Sequence, residues 1–103
     1  HDNDNNMIVR ETLDFDVTIG KVLDFAKKNR RTLVIITADH ETGGLTLPSG
    51  NIEKRHSEAV FSTGGHTGIP VPVFAFGPGA EEFTGIMENT EFKGKIAELL
   101  KLK

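Results

Sequence analysis

Leu33-Val34-Ile35-Ile36-Thr37-Ala38-Asp39-His40-Glu41-Thr42-Gly43-Gly44 decides the reading of this chain. It opens on four apolar residues, three of them β-branched, a run too short for a helix and suited to a strand covered on both faces. The run stops at a carboxylate beside an imidazole, Asp39 and His40. In open α/β sheets functional groups collect where strands end at their carboxyl edge, because the sheet fixes the origin of loops that are otherwise free to vary. One hard oxygen donor next to one borderline nitrogen donor suits zinc and its neighbours. Gly43 and Gly44 then allow a tight turn. The plainer reading of such a pair is a turn or cap with no metal, so other parts of the chain must decide.

On the N-terminal side, Ile19, Val22, Leu23 and Ala26 fall at i, i+3, i+4 and i+7, which predicts a helix from about Val17 to Lys28 with Asp16 as its N-cap. Phe15 is placed to staple back near Gly20. Lys27 and Lys28 face the negative end of the helix dipole, and Asn29 is a suitable left-handed terminator. Capping and solvation account for Asp14, Asp16 and Asp24. Helix, short connection and buried strand make half of a right-handed α/β unit. Residues 1–6, His-Asp-Asn-Asp-Asn-Asn, read as a polar end that would fray on its own.

On the C-terminal side, Leu45-Thr46-Leu47 is expected to be a short strand entering a turn at Pro48-Ser49-Gly50-Asn51, with Ala59 to Ser62 returning as an antiparallel partner. His56, between Arg55 and Ser57, reads as a solvated loop histidine. Gly64-Gly65-His66-Thr67-Gly68 is a second glycine-flanked histidine, just ahead of the apolar run Val71-Pro72-Val73-Phe74-Ala75-Phe76. Pro72 removes a ladder donor, so this strand should lie at an edge or begin near Pro72. Phe83 to Ile86 suggests one more short strand. Asn89 or Thr90 should cap a last helix whose Phe92, Ile96, Leu99 and Leu100 share a face.

Length and composition bound the function. The 103 residues allow one small domain at most. A net charge of -3 with interleaved signs offers no basic stripe for nucleic acid, and no segment is apolar enough to span a membrane. There is no cysteine, so a transition metal would have to be held by His and carboxylate. The chain starts at His1 rather than Met, which fits either a removed leader or a piece of a longer polypeptide.

Taken together, these motifs resemble the alkaline phosphatase family over nearly the whole chain. Thr37-Ala38-Asp39-His40-Glu41-Thr42-Gly43-Gly44 resembles that family's second metal-binding motif, Gly65-His66-Thr67-Gly68 its final metal histidine, and Val73-Phe74-Ala75-Phe76-Gly77-Pro78-Gly79-Ala80 the strand and turn that follow. Glu88-Asn89-Thr90-Glu91 is similar to the start of its C-terminal helix, and Glu11-Thr12-Leu13-Asp14-Phe15-Asp16 to the segment after its first Asp-x-x-x-His motif.

The resemblance implies an α/β fold, namely part of a three-layer sandwich with a mostly parallel sheet flanked by helices, and residues 1–103 as a C-terminal fragment of a single alkaline phosphatase domain. It implies hydrolysis of phosphate monoesters through a serine nucleophile and a phosphoseryl intermediate, with two zinc ions about 3.5 to 4 Å apart clamping the attacking and leaving oxygens. By the same resemblance Asp39 and His40 would bind the zinc that contacts the serine, while His66 and His1 would bind the other. No catalytic residue is assigned within the chain: the nucleophile, the phosphate-clamping arginine and the ligands of a magnesium site would lie upstream. The fragment alone is expected to be inactive and to associate as a homodimer or strand-exchanged oligomer. The short interval between His40 and His66 suggests a minimal bacterial-type enzyme, and hence a periplasmic or secreted parent. Two other readings are a phosphodiesterase, sulfatase or phosphomutase of the same metal-dependent superfamily, and a small non-catalytic zinc-binding module.

Overall fold

A computed structural model describes residues 3–102. Two helices (α1, Asn5–Asn29; α2, Glu91–Leu99) and four strands (β1, Val34–Ile36; β2, Thr46–Asn51; β3, His56–Val60; β4, Phe74–Phe76) follow one another with a 3-10 turn at Ala80–Phe83. The chain divides into two compact units, one made of the residues up to Thr18 with His40–Val71, the other of Ile19–Asp39 with the residues from Pro72 onward.

α1 is 25 residues long and starts well before the expected Val17. Its cap is Asp4, not Asp16: the Asp4 carboxylate accepts the Met7 N–H at 3.0 Å and its carbonyl accepts the Ile8 N–H at 3.0 Å, which satisfies donors at the first turn that otherwise have no partner. Phe15 and Asp16 are therefore interior residues, and the proposed staple does not form. The C-terminus is closed by Arg30, which takes the left-handed conformation (φ 58°) and donates to Ala26 O at 2.8 Å. Asn29 contributes through its side chain, whose Oδ1 accepts the Arg31 N–H at 2.9 Å and the Thr32 hydroxyl at 3.0 Å. Of the expected apolar stripe only Ala26 is buried, and Val22 is exposed.

In the first unit β2 and β3 form an antiparallel hairpin, with Asn51 opposite His56 and Thr46 opposite Val60. The register slips by one between Thr46 and Ser49, so Leu47 and Pro48 together oppose Ala59 in a bulge. Pro48 has no N–H to give the ladder, which makes this the place where an extra residue is tolerated. The turn falls at residues 52–55, not at Pro48–Asn51: Lys54 donates to Asn51 Oδ1 at 2.7 Å, and Arg55 takes a positive φ of 50°.

In the second unit β1 pairs with β4, Val34 opposite Phe76 and Ile36 opposite Phe74. This pairing is antiparallel, as is the hairpin, so the described strands do not by themselves show a mostly parallel sheet. Antiparallel pairing needs no crossover, and no helix lies between β1 and β4 to serve as the usual one. The helices and strands remain α/β in kind. Beyond the ladder, the Thr37 hydroxyl donates to Pro72 O at 3.1 Å.

Phe83, expected in a strand, ends the 3-10 turn and is 4 % exposed. Its ring lies 5.6 Å from that of Phe92 on α2. α2 has no side-chain cap from Thr90; instead Glu91 Oε1 accepts the Glu88 N–H at 2.9 Å. Its end is a Schellman turn, with Lys101 donating to Glu98 O at 2.9 Å and Leu102 to Ala97 O at 2.9 Å. Among the described residues no helix is long and apolar enough to cross a membrane.

Two glycines give opposite expected outcomes on substitution. Gly77 has φ 106°, and a Cβ there would lie 2.2 Å from the Thr32 carbonyl oxygen, so Gly77→Ala should destabilise by about 2 to 3 kcal/mol. Gly94 sits inside α2 with no atom within 4 Å of such a Cβ, so Gly94→Ala should stabilise by about 1 kcal/mol. Denaturant melts that rank the two variants the other way would refute this account of the turn.

Candidate metal centre

The first unit brings His40 and His66 together. Their ring centroids are 3.7 Å apart with the planes inclined at 32°, although 26 residues separate them in the chain. His40 is half-buried and His66 exposed. His40 Nδ1 lies 2.8 Å from the Glu41 carbonyl oxygen. A carbonyl can only accept, so Nδ1 carries the proton and Nε2 keeps the lone pair a metal would use.

Glu41 joins the two histidine loops. Its carboxylate accepts the Gly44 N–H on one oxygen and the Thr67 N–H on the other, and Thr67 directly follows His66. Partial burial opposes ionisation of Glu41, but the Thr67 and Gly44 amides, the Thr67 hydroxyl and the nearby His66 outweigh it, so its pKa falls below the ordinary 4.5.

Backbone contacts close the same loops. Gly43 O accepts the Ser62 N–H at 2.8 Å and the Thr63 N–H at 3.2 Å. Asn3 donates from Nδ2 to Thr63 O at 2.8 Å, and this bond passes directly over Gly43. A Cβ on Gly43 (φ 60°) would lie 2.7 Å from Thr63 O and 2.8 Å from Asn3 Nδ2, so the glycine pair is required both by its backbone conformation and by the close approach of two segments. Asn3 Oδ1 is buried with no hydrogen-bond partner among the described residues.

The other expected ligands are placed less fully. Asp39 is exposed immediately before His40, and His1 lies outside the described residues. Among the described residues no three His, Cys, Asp or Glu side chains gather closely enough to hold a metal ion. What fits a metal is the donor chemistry: two adjacent imidazoles, one with its tautomer fixed by a backbone carbonyl. His56 stands apart on β3, paired with Glu58 at 3.7 Å, and the open concavity it lines with Leu47, Asn51 and Arg55 contains none of the candidate ligands.

A family model of alkaline phosphatase matches residues 1–53 and 48–102. This chain belongs to the alkaline phosphatase family. Alkaline phosphatase 4 of Bacillus subtilis (strain 168) is 26% identical, the alignment covering 98% of this chain and 36% of that protein. Among solved structures, the alkaline phosphatase of the Antarctic bacterium TAB5 is 47% identical and superimposes with a TM-score of 0.86 over 98% of this chain and 31% of its own. A variant of that enzyme with magnesium bound in its M3 site is 45% identical, with a TM-score of 0.87 over 98% of this chain and 32% of its own. The chain thus spans about a third of the length of these family members.

Sequence reasoning named both histidines and missed what holds them together. Glu41 stands three residues ahead of Gly44, the spacing at which a carboxylate reaches a turn amide, and that local signal was available. Its second bond, to Thr67, leaves no trace in local spacing.

The hairpin carboxylate Glu58, the partner of His56, belongs to a separate polar cluster. The Ser49 hydroxyl, more than burial (which acts in the opposite sense) or His56, holds Glu58 below the ordinary 4.5. Because the folded value is the lower one, the contribution of Glu58 to the hairpin is present above about pH 4.5 and is lost as pH falls through the folded value. Ser49→Ala should move the Glu58 titration midpoint up in carboxyl NMR, while His56→Ala should leave zinc affinity within about twofold of the parent value. A larger loss of zinc affinity on removing His56 would mean that the centre is drawn wrongly.

Proposed function

We propose that this chain is the C-terminal portion of a single alkaline phosphatase domain, and that the complete enzyme hydrolyses phosphate monoesters in a metal-dependent reaction with a serine nucleophile outside these residues. The observation that carries the proposal is the meeting of His40 and His66 at 3.7 Å in a chain whose family is alkaline phosphatase. Asp39 and His40 would hold one zinc ion and His66, with His1, the other; magnesium would be held by residues outside the chain. When bound, zinc supplies Lewis acidity at a phosphoryl oxygen and lowers the pKa of an attacking hydroxyl. The chain's own part is to present imidazole Nε2 of His40 and the ring of His66 on one face of two loops fixed by Glu41.

The finer fold reading belongs to the same proposal. β1 and β4 would form part of a mostly parallel sheet in a three-layer sandwich, with the remaining strands contributed by other parts of the polypeptide. Ile35 and Ile36 are only half-buried, Phe74 is 61% exposed, and the buried Asn3 Oδ1 calls for a donor.

Activity of the complete enzyme on an aryl phosphate monoester should fall at least about a hundredfold on chelation and return with zinc, since a metal-dependent site keeps little function without its ion. Faster turnover of the matching diester than of the monoester, or indifference to chelation, would overturn the assignment. The 103-residue chain alone, supplied with zinc and magnesium, should turn over neither ester above background; measurable turnover would show that the nucleophile lies within it.

Leu13 and Val17 on one side of α1, and Phe15, Val22 and Phe25 on another, are all exposed. Apolar surface of this extent drives association. Light scattering on the isolated chain should therefore report dimers or larger species, and a clean 11.3 kDa monomer at high concentration would overturn the expectation.

A further inference from the structure

We infer that Glu41 is the positioning residue that sets the spacing of the two metal-binding histidines, acting on His66 through the Thr67 amide and on the His40 loop through the Gly44 amide. The inference rests on the proposed reading of His40 and His66 as zinc ligands and adds a residue to which no role has been given.

The argument is one of connectivity. Glu41 is bonded covalently to His40, and its carbonyl oxygen fixes the His40 tautomer at 2.8 Å. Its side chain then turns back to the Gly44 N–H and across to the Thr67 N–H. Both oxygens of one carboxylate are thereby committed to two loops that the β2–β3 hairpin separates in sequence. His66 is flanked by Gly64 and Gly65 on one side and by Gly68 after Thr67 on the other, and a Cβ on Gly64, Gly65 or Gly68 would meet no atom closer than 3.9 Å. The three glycines thus add no side-chain packing to the loop, so its backbone anchors matter for where His66 sits. The backbone on either side of His66 is anchored by a side chain, the Gly65 N–H by the Thr63 hydroxyl at 3.2 Å and the Thr67 N–H by Glu41, and of the two only Glu41 reaches from the loop that carries His40. A ligand on a glycine-flanked loop loses conformational entropy when it binds metal unless the loop is already fixed, and partners of this kind are worth about 10- to 100-fold in metal affinity.

Glutamine at position 41 keeps one carbonyl acceptor but turns an NH2 group toward the other N–H donor, so it should retain part of the effect. Alanine should retain none. In the full-length enzyme, stripped of metal and kept well below the melting temperature of every variant, zinc affinity is measured by competition with a chromogenic chelator. Glu41→Ala should bind zinc about 10- to 100-fold more weakly than the parent, Glu41→Gln should fall between them, and activity of both should recover at saturating zinc. A residue that merely stiffens the fold would lower the melting temperature and leave zinc affinity unchanged. Zinc affinity of Glu41→Ala within twofold of the parent, alongside a large loss in His66→Ala, overturns the inference and leaves the metal centre standing. Unchanged affinity in His66→Ala overturns the metal centre and the inference with it. Should Glu41→Ala fail to fold, Glu41→Gln decides: parent-like zinc affinity in that variant overturns the role.

Discussion

A single carboxylate ties together the loops that carry His40 and His66. Glu41 accepts backbone N–H groups from Gly44 and Thr67, and Thr67 lies 26 residues further along the chain. Closing a loop of that length costs roughly 3 kcal/mol on the logarithmic scale of loop entropy, more than one ordinary hydrogen bond returns. The closure is therefore shared among the β2–β3 ladder, the two amides on the Gly43 carbonyl, the Asn3 bond to Thr63 and Glu41. Each is weak alone, and Glu41 is the one formed to a charged acceptor, the stronger class of hydrogen bond.

The glycines follow from that closure. Gly43 lies under the Asn3–Thr63 bond and Gly44 under the Ser62 side chain, whose Oγ would be 3.0 Å from a Cβ on Gly44. Both take left-handed φ values, so a side chain at either would meet backbone strain and a neighbouring segment at once. The sequence Glu-Thr-Gly-Gly after Asp39-His40 is thus a structural statement about how closely two loops approach, and the paired imidazoles are its consequence.

What could be read from residues alone was what depends on local pattern. The β-branched run 33–36 gave β1, the Pro72 constraint placed β4 beyond it, and the apolar face of the last helix was correct for Phe92, which meets Phe83. The failures were of two kinds. Apolar period starts α1 too late, because Asp4 begins the helix by satisfying N–H groups in a stretch where no period exists. Phe83 was assigned to a strand because one buried aromatic residue carries no period, and Gly79, with Leu99 against it, directs the chain into a 3-10 turn instead. At the candidate centre, His40 and His66 are legible in the sequence as candidate ligands on glycine-rich loops. Their contact, and the Glu41 bridge that sets it, are not, because tertiary pairing across a hairpin has no local spacing.

The burial pattern bears on the same point from the side of packing. Ala26, Val34 and Phe83 are the buried apolar residues among those described, far fewer than an independent domain of this length needs to offset its conformational entropy. Yet the run 33–36 has the composition of a strand covered on both faces, and α1 carries apolar residues on more than one side. Composition and exposure disagree only if the chain is taken as a finished domain. If it is part of a polypeptide about three times as long, as the lengths of its family members suggest, the half-covered strand and the two-sided helix are interior surfaces awaiting their cover. The same argument applies at the centre. On the proposed metal reading, the two imidazoles on loops joined by Glu41 would be a preorganised portion of a first shell, and a portion is useful only where the remaining donors arrive on a scaffold that those apolar faces hold in register.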